Sequence, residues 1–505
     1  MFATFVTRGG IAMLLLLLFA LPVRAQSFRV QCPFTTATHP NPSDTSNGAI
    51  KCQQISGGDG YSTMGDGVQT YMFSFGPLSG LADIRNGLPG TEPAAIFNVP
   101  GSPYSDMTYN GAVGLTPDGA AVDPSSPPNE QIIVGHVDPR PIMDIGVMNG
   151  NIPAPTMAID EDDEFFLTLT NVGMIMRPDL FEKHTVHFHG YPNASSFYDG
   201  VPDASVAINI GASFTYYYLA PDAGTYFWHC HVTPPEHLQM GMVGQIFVRP
   251  RQNRVSAGVS LYQALLAQQI DPRTRCGSDI LCSTPLPPVN NVLHVLNKSG
   301  TPTLYAYNDG DGSTAYDVEY PVQIHGFDPN FHFIGMTFNP EPFTDMKDKY
   351  FLLNGRSYPD TVNPNPITTE VADGTQHYSQ PLPALINIPT GGKALLRISD
   401  LDVTEYQTLA SLGIPMHVIA LNARLLRDMA GNDMTYYANS ITLGGGESLD
   451  VILDAGDTTK YPVGSIYYLY TPNLDHLAND AENFGGLMTE VHICSAVDPT
   501  TKKCS

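Results

Sequence analysis

The chain is short of several things. It has one tryptophan, seven cysteines and only 14% charged residues, and its 24 Lys and Arg are outnumbered two to one by 49 Asp and Glu. The formal net charge of −25 leaves no basic surface for a polyanion, so nucleic acid is excluded as a partner and cations are favoured. Long apolar runs are also missing. The one exception stands at the start, where "MFATFVTRGGIAMLLLLLFALPVRA" places Arg8 before an apolar run over residues 11–21 and then Val23-Arg24-Ala25. That run falls short of the about 20 residues a spanning helix needs. Its layout is that of a signal peptide over residues 1–25, cleaved on export to the periplasm or the extracellular space. Loss of Arg8 and Arg24 would move the charge to −27, and no later stretch offers a membrane span.

Turn formers and strand formers are abundant. With 46 Gly, 43 Pro and many Thr, Val, Ile, Tyr and Phe, the composition favours short strands joined by turns over long helices. Residues 26–150 read as irregular, with "TYMFSFG" as a single strand. From "NGNIPAPTMAIDEDDEFFLTLTN" onward short β patterns recur: "FFLTLTN", "HTVHFHG", "SFTYYYLA", "GTYFWHCH" and "GQIFVRP". The acidic cluster at residues 160–164 reads as a solvated turn. Residues 251–292 read as a linker holding one short helix, "SAGVSLYQALLAQQI", and a second β region fills 293–505. The two β regions look like a weak repeat: "GTYFWHCH" lines up with "GSIYYLYT", so His229, Cys230 and His231 correspond to Leu469, Tyr470 and Thr471. The expected organisation is therefore a signal peptide (1–25), a first β domain with an irregular N-terminal insertion (26–250), the linker (251–292) and a second β domain without the first one's site (293–505).

Six of the cysteines group locally as 32/52, 276/282 and 494/504, which in an exported chain reads as three disulfides, although six cysteines allow fifteen pairings. Cys230 is left over. It sits in "WHCHVTPPEHLQMGM", where three histidines, one cysteine and two methionines fall within fourteen residues. Two imidazoles, a thiolate and a weak thioether are the donor set of a blue-copper site. Cys230, His237 and Met242 supply three of them, and His184 in "KHTVHFHG" is the candidate for the fourth. His187-Phe-His189 and His229-Cys-His231 are both His-x-His on expected strands, where alternation sends the two histidines to one face and the central residue to the other. His229 and His231 then face away from Cys230 towards a second metal site, with the backbone as the electron path between them. A Cys/His nucleophile needs neither the thioether nor the second His-x-His pair, zinc does not call for methionine, and packing alone rarely sets eight donors at regular offsets within 59 residues.

"HTVHFHG" together with "HCH…HLQMGM" resembles the copper signatures of the multicopper oxidases, proteins built from cupredoxin domains. "SFTYYYLAPDAGTYFWHCH" resembles their copper-binding domain, and "FLLNGRSYPDTV" and "SITLGGGESLDVILDA" resemble a copper-free one. The resemblance implies an all-β fold of two cupredoxin-like Greek-key β-sandwich or barrel domains with an irregular N-terminal extension and a disulfide-bearing linker. It implies His184, Cys230, His237 and Met242 as ligands of a blue (type 1) copper. His187, His189, His229 and His231 would be half of a type 2/type 3 copper cluster, with no catalytic side chain beyond the ligands. The family's cluster uses eight histidines from four His-x-His motifs, and this chain has two. In "EYPVQIHGF" Tyr320 and Gln323 stand where histidines would be, leaving His325. The expectation is a homo-oligomer in which subunits complete the cluster, using dioxygen and a small-molecule or metal-ion reductant. A blue-copper electron-transfer protein and a nitrite-reductase-like enzyme, suggested by the long loop between His231 and His237, stay open.

Overall fold

In this computed structural model residues 32–98, 148–190, 195–220, 222–269, 285–335, 342–370 and 376–505 are described. The expected signal peptide (1–25) and the expected pair of Cys276 and Cys282 lie outside them. The first domain contains β1 (Ile50–Thr63), β2 (Gln69–Pro77), β3 (Glu92–Pro93), β4 (Met157–Asp160), β5 (Glu164–Gly173), β6 (His187–Phe188), β7 (Ser213–Leu219), β8 (Gly224–His229) and β9 (Val243–Arg249). One sheet runs β2-β1-β5-β7 with β3 attached to β1, and the other runs β4-β9-β8-β6. Alternate residues of β5, Phe165, Leu167 and Leu169, pack with Ile246, Val248 and Trp228 into one buried core. Trp228 lies so close to Gly244 that a Cβ there would sit 2.5 Å from the indole, so this cross-strand pair needs glycine.

The second domain repeats the pattern. In the first, β1 is parallel to β5 and β4 to β9, while β8 and β9 are antiparallel. In the second, Val318–Phe327 is parallel to Lys393–Asp400, Ile386–Pro389 is parallel to Met488–Cys494, and Ile466–Tyr470 runs antiparallel to Met488–Cys494. The weak sequence repeat is thus a repeat of topology. Ile466–Tyr470 takes the place of β8 and carries no histidine. The expected helix in the linker forms at Leu261–Gln269. Cys32 pairs with Cys52 and Cys494 with Cys504, as their grouping suggested, and Cys230 is free and buried.

Two expectations fail. The region read as irregular contains β1, fourteen residues long and mid-sheet, whose "ISGGDGYST" hides its strand character behind three glycines and polar residues. The acidic cluster is not a solvated turn. Glu161 accepts hydrogen bonds from the main-chain N–H of Ala223 and Arg251, Asp163 accepts from Ala49 and Asp160, and Asp162 pairs with Arg251 and Arg254. These carboxylates are consumed in tying the linker to the first domain, because buried acids survive only when bonded.

The domains meet through β8 and β9. Thr225 donates to Asp450 (2.5 Å), Ser448 donates to the Thr225 carbonyl (2.6 Å), and Gln245 donates to the Arg397 carbonyl and to Ser399 (2.9 Å each). Arg249 and Arg397 converge on Glu319 at 2.9 and 2.7 Å. The strand that leads into His229 and Cys230 is therefore held from both sides.

Candidate metal centre

Cys230 follows β8 directly and turns into the first-domain core with Met240 and Met242. Around its Sγ stand His237 Nδ1 at 3.2 Å and His184 Nδ1 at 3.9 Å, and the Thr185 N–H donates to the sulfur at 3.4 Å. All three side chains are fully buried. His184 is admitted by Gly57 of β1, where a Cβ would lie 2.6 Å from its ring. His237 rides on the short helix Pro234–Gln239, which starts after Thr233 in a left-handed conformation and has proline in its first turn. The chain then doubles back through Gly241 at φ 116°, and the Cys230 N–H donates to the Met242 carbonyl at 3.1 Å. Met242 is thereby placed beside the sulfur strand with its side chain buried.

Burial pushes the Cys230 thiol up, but the His237 charge and hydrogen bonds from His184 and His237 outweigh it and hold the thiol well below its usual range. His237 is likewise opposed by burial and is raised to about 10 by the thiolate and by Glu182. Burial lowers His184. The His184 Nε2 is buried without a hydrogen-bond partner, and the His237 Nε2 has only Glu182, 3.6 Å away. Two imidazoles aim the same nitrogen at one sulfur whose ionisation they favour, and a soft-sulfur and nitrogen donor set of this kind fits copper.

The second group lies across the strand. The ligand atoms of His187, His189 and His229 fall within 4.8 Å of one another. His189 Nε2 is 2.9 Å from His229 Nε2, and the His231 ring sits 4.9 Å from that of His187. Period-2 alternation has done what the sequence implied: Cys230 faces the core and His229 and His231 face the other way. Each of three rings has its other side occupied. His187 Nδ1 bonds to the Asp199 carbonyl (2.6 Å), His229 Nδ1 to the Cys230 carbonyl (2.7 Å), and His189 to the main chain of Gly446. Anchoring one ring nitrogen to a carbonyl fixes the tautomer and leaves the other as a lone-pair donor. Burial, with neighbouring imidazoles adding to it, lowers His189 to about 4 and holds His229 well below the usual imidazole range, so both are neutral at pH 7.

A cleft of about 750 Å³ opens on His189, His229 and His231. Its far wall belongs to this chain's own second domain and carries Asp402, Glu405, Glu447 and the glycines 444–446. Among the described residues, no histidine of the second domain lines it. His325, the remnant of "EYPVQIHGF", is buried with its Nδ1 on the Leu401 carbonyl (3.2 Å) and joins neither group. Residues the sequence did not reveal as neighbours of the site are Glu182, two residues before His184, and Gly57, Asp402 and Gly446, brought in from distant segments.

The site is thus a strand with a thiol on one face and imidazoles on the other, in a two-sandwich chain. Residues 135–253 match the family model described as multicopper oxidase. The chain is 34% identical over 111 residues to laccase abr2 of Aspergillus fumigatus, a match covering 22% of this chain and 17% of that one. To the multicopper oxidase MmcO of Mycobacterium tuberculosis it is 31% identical over 136 residues, 25% of each chain. The chain thus spans a quarter or less of these relatives. The blue copper oxidase of Nitrosomonas europaea superposes with a TM-score of 0.50 at 17% identity, covering 88% of this chain and 85% of that one. The multicopper oxidase mgLAC gives 0.50 at 14%, covering 90% and 93%. These likenesses establish the fold as two cupredoxin domains. No helix among the described residues is long and apolar enough to cross a membrane.

Proposed function

We propose that the chain is an exported copper-dependent oxidoreductase. A small-molecule or metal-ion reductant gives up electrons singly beside His237, and dioxygen is reduced at the pocket of His187, His189, His229 and His231. The observation that carries this reading is the pair of donor groups on opposite faces of one strand, joined through the His229–Cys230 peptide and the His229 Nδ1–Cys230 carbonyl hydrogen bond of 2.7 Å. Copper held by His184, Cys230, His237 and Met242, and by the second histidine group, supplies one-electron redox chemistry at both ends of that path.

The chain's own side chains do the rest. Glu182, about a third exposed beside the His237 Nε2, presents negative charge where the reductant arrives, and with the acidic surface it favours cations. Reduction of dioxygen to two waters takes up four electrons and four protons. Asp402 lines the pocket, and Asp348 crowds against it over Gly326, where a Cβ would touch both carboxylates. Burial and the Asp402 charge push Asp348 well above the usual carboxylate range, which favours a proton on this carboxyl pair at the pocket wall.

His187, His189 and His231 keep partial exposure. In this reading a second copy of the chain adds the four histidines still needed, and two-fold sharing gives about 2.5 copper ions per chain. The acidic wall opposite the histidines favours one rival, an electron-transfer protein with only the Cys230 site working, which predicts one copper per chain. Oxygen uptake by the copper-loaded protein with a one-electron reductant separates the two. The proposal expects uptake that Cys230→Ser abolishes, and no uptake from a fully blue wild-type protein would reject it.

A further inference from the structure

The second domain keeps the cupredoxin scaffold and has no donor group of its own among the described residues, yet it presses on the histidines of the first. The contact is made by "GGGES". Gly446, at φ 90°, abuts the His189 imidazole so closely that a Cβ would stand 2.9 Å from Nδ1 and 3.0 Å from Cε1. The ring also meets Phe227, edge to face with centroids 4.8 Å apart, and the main-chain N–H of His189 donates to the Phe227 carbonyl at 2.8 Å. The loop itself is braced. The Gly446 N–H donates to the Asp400 carbonyl (2.9 Å), the Asp400 N–H to the Glu447 carbonyl (3.0 Å), and the Gly444 N–H to the Glu447 carboxylate (2.8 Å). Immediately after it, Ser448 is bonded to the Thr225 carbonyl of β8, four residues before His229. The same short segment therefore touches one histidine ring and the strand that carries another.

We propose that the 444–446 loop of the second domain is the positioning element of the His187, His189 and His229 group, with Gly446 setting the His189 ring so that its Nε2 faces His229. The histidine-poor domain then has a defined task. It supplies the carbonyl and the steric stop that leave His189 one free nitrogen, where a side chain at 446 would rotate the ring out of the group. Glycine is required there for two separate reasons, the positive φ and the absent Cβ. The proposal rests on the reading that these histidines hold a metal, but its first consequence is visible without one.

The test uses the full chain with ¹⁵N-labelled histidine, metal-free and then titrated with copper. In Gly446→Ala the Nδ1–H resonance of His189 shifts or is lost. The copper that binds outside the blue site weakens 10–100-fold, the usual cost of removing an orienting partner, while the intense visible band of the Cys230 site stays. Gly464→Ala controls for backbone strain, since Gly464 has φ 85° and no atom within 4 Å of a Cβ; it should leave the resonance and both coppers unchanged. Glu447→Ala should loosen the loop in the same direction, and Glu447→Gln, which keeps an acceptor for the Gly444 N–H, should restore it. An unaltered His189 resonance in Gly446→Ala overturns the proposal, as does equal loss of both copper signals in a folded Gly446→Ala. A wild-type protein that takes up copper only at Cys230 would defeat the functional reading instead, and the metal-free resonance would still decide the clamp.

Discussion

At the scale of residues, the site is a matter of which atoms are already spoken for. The Cys230 thiol is held well below its usual range, because the charge of His237 and two hydrogen bonds outweigh its burial. His187 and His229 spend Nδ1 on main-chain carbonyls and so offer Nε2. Small residues matter as much as donors. Gly57 gives His184 its place, and Gly57→Ala would put a Cβ 2.6 Å from the ring. Overpacking of this kind costs about 1–3 kcal/mol, and the displaced imidazole should shift or bleach the blue absorption band while the second group keeps its copper. Absorption spectra of the copper-loaded variant check this, and an unchanged band would show that His184 is not a ligand.

Elements of structure transmit that order. The helix Pro234–Gln239 carries His237 and ends in Gln239, whose amide donates to Asp348 (2.9 Å) and accepts from the Asp328 N–H (3.0 Å). His332 adds a bond from Nε2 to the Gln239 carbonyl at 2.9 Å and stacks on Phe327. Gln239→Ala leaves the buried Asp328 N–H without its acceptor and removes one of the hydrogen bonds to the buried Asp348 carboxyl, which keeps the Thr404 hydroxyl, a loss of about 1–3 kcal/mol. It should lower the unfolding midpoint in denaturant and broaden the blue band as His237 gains freedom. The His-Cys-His strand was legible in the sequence because period 2 is a local property, and so was the Cys230–His237–Met242 loop, whose ligands are close along the chain. β1 was not, since Gly57, Gly58 and Gly60 erase the alternation that marks a strand, and the glycines are there for packing against His184 and residue 150. Gly446 and Asp402 were out of reach for a different reason: their roles depend on how one domain docks on another, and no local pattern records that.

For the whole molecule, the two domains are joined by a buried ionic cluster. Burial pushes Glu319 up, but Arg249 and Arg397 outweigh it and lower it to about 2 from an ordinary 4.5. A carboxylate lowered in the folded state contributes stability that is complete above its unfolded value and lost as pH falls. The Glu319 share, about 3 kcal/mol, should therefore disappear between about pH 4.5 and 2. Glu319→Gln leaves two guanidinium groups short of their partner and should cost about 3–5 kcal/mol at pH 7. It should also flatten the acid limb of the stability curve, which denaturant melts at a series of pH values would record. A variant with the wild-type acid limb would show that this cluster does not govern the docking of the domains.

Docking decides function here, because half of what surrounds the histidine pocket comes from the second domain and the rest from whatever meets His187 and His231 at the surface. The central claim is that this chain runs two connected copper sites and not one. Copper content per chain, measured together with visible and spin-resonance spectra on the fully loaded protein, tests it most directly. The account predicts an intense blue band from the Cys230 site together with additional copper, about 2.5 ions per chain if a second copy shares the cluster, and oligomers in solution. One copper per chain with a single blue spin-resonance signal would contradict it.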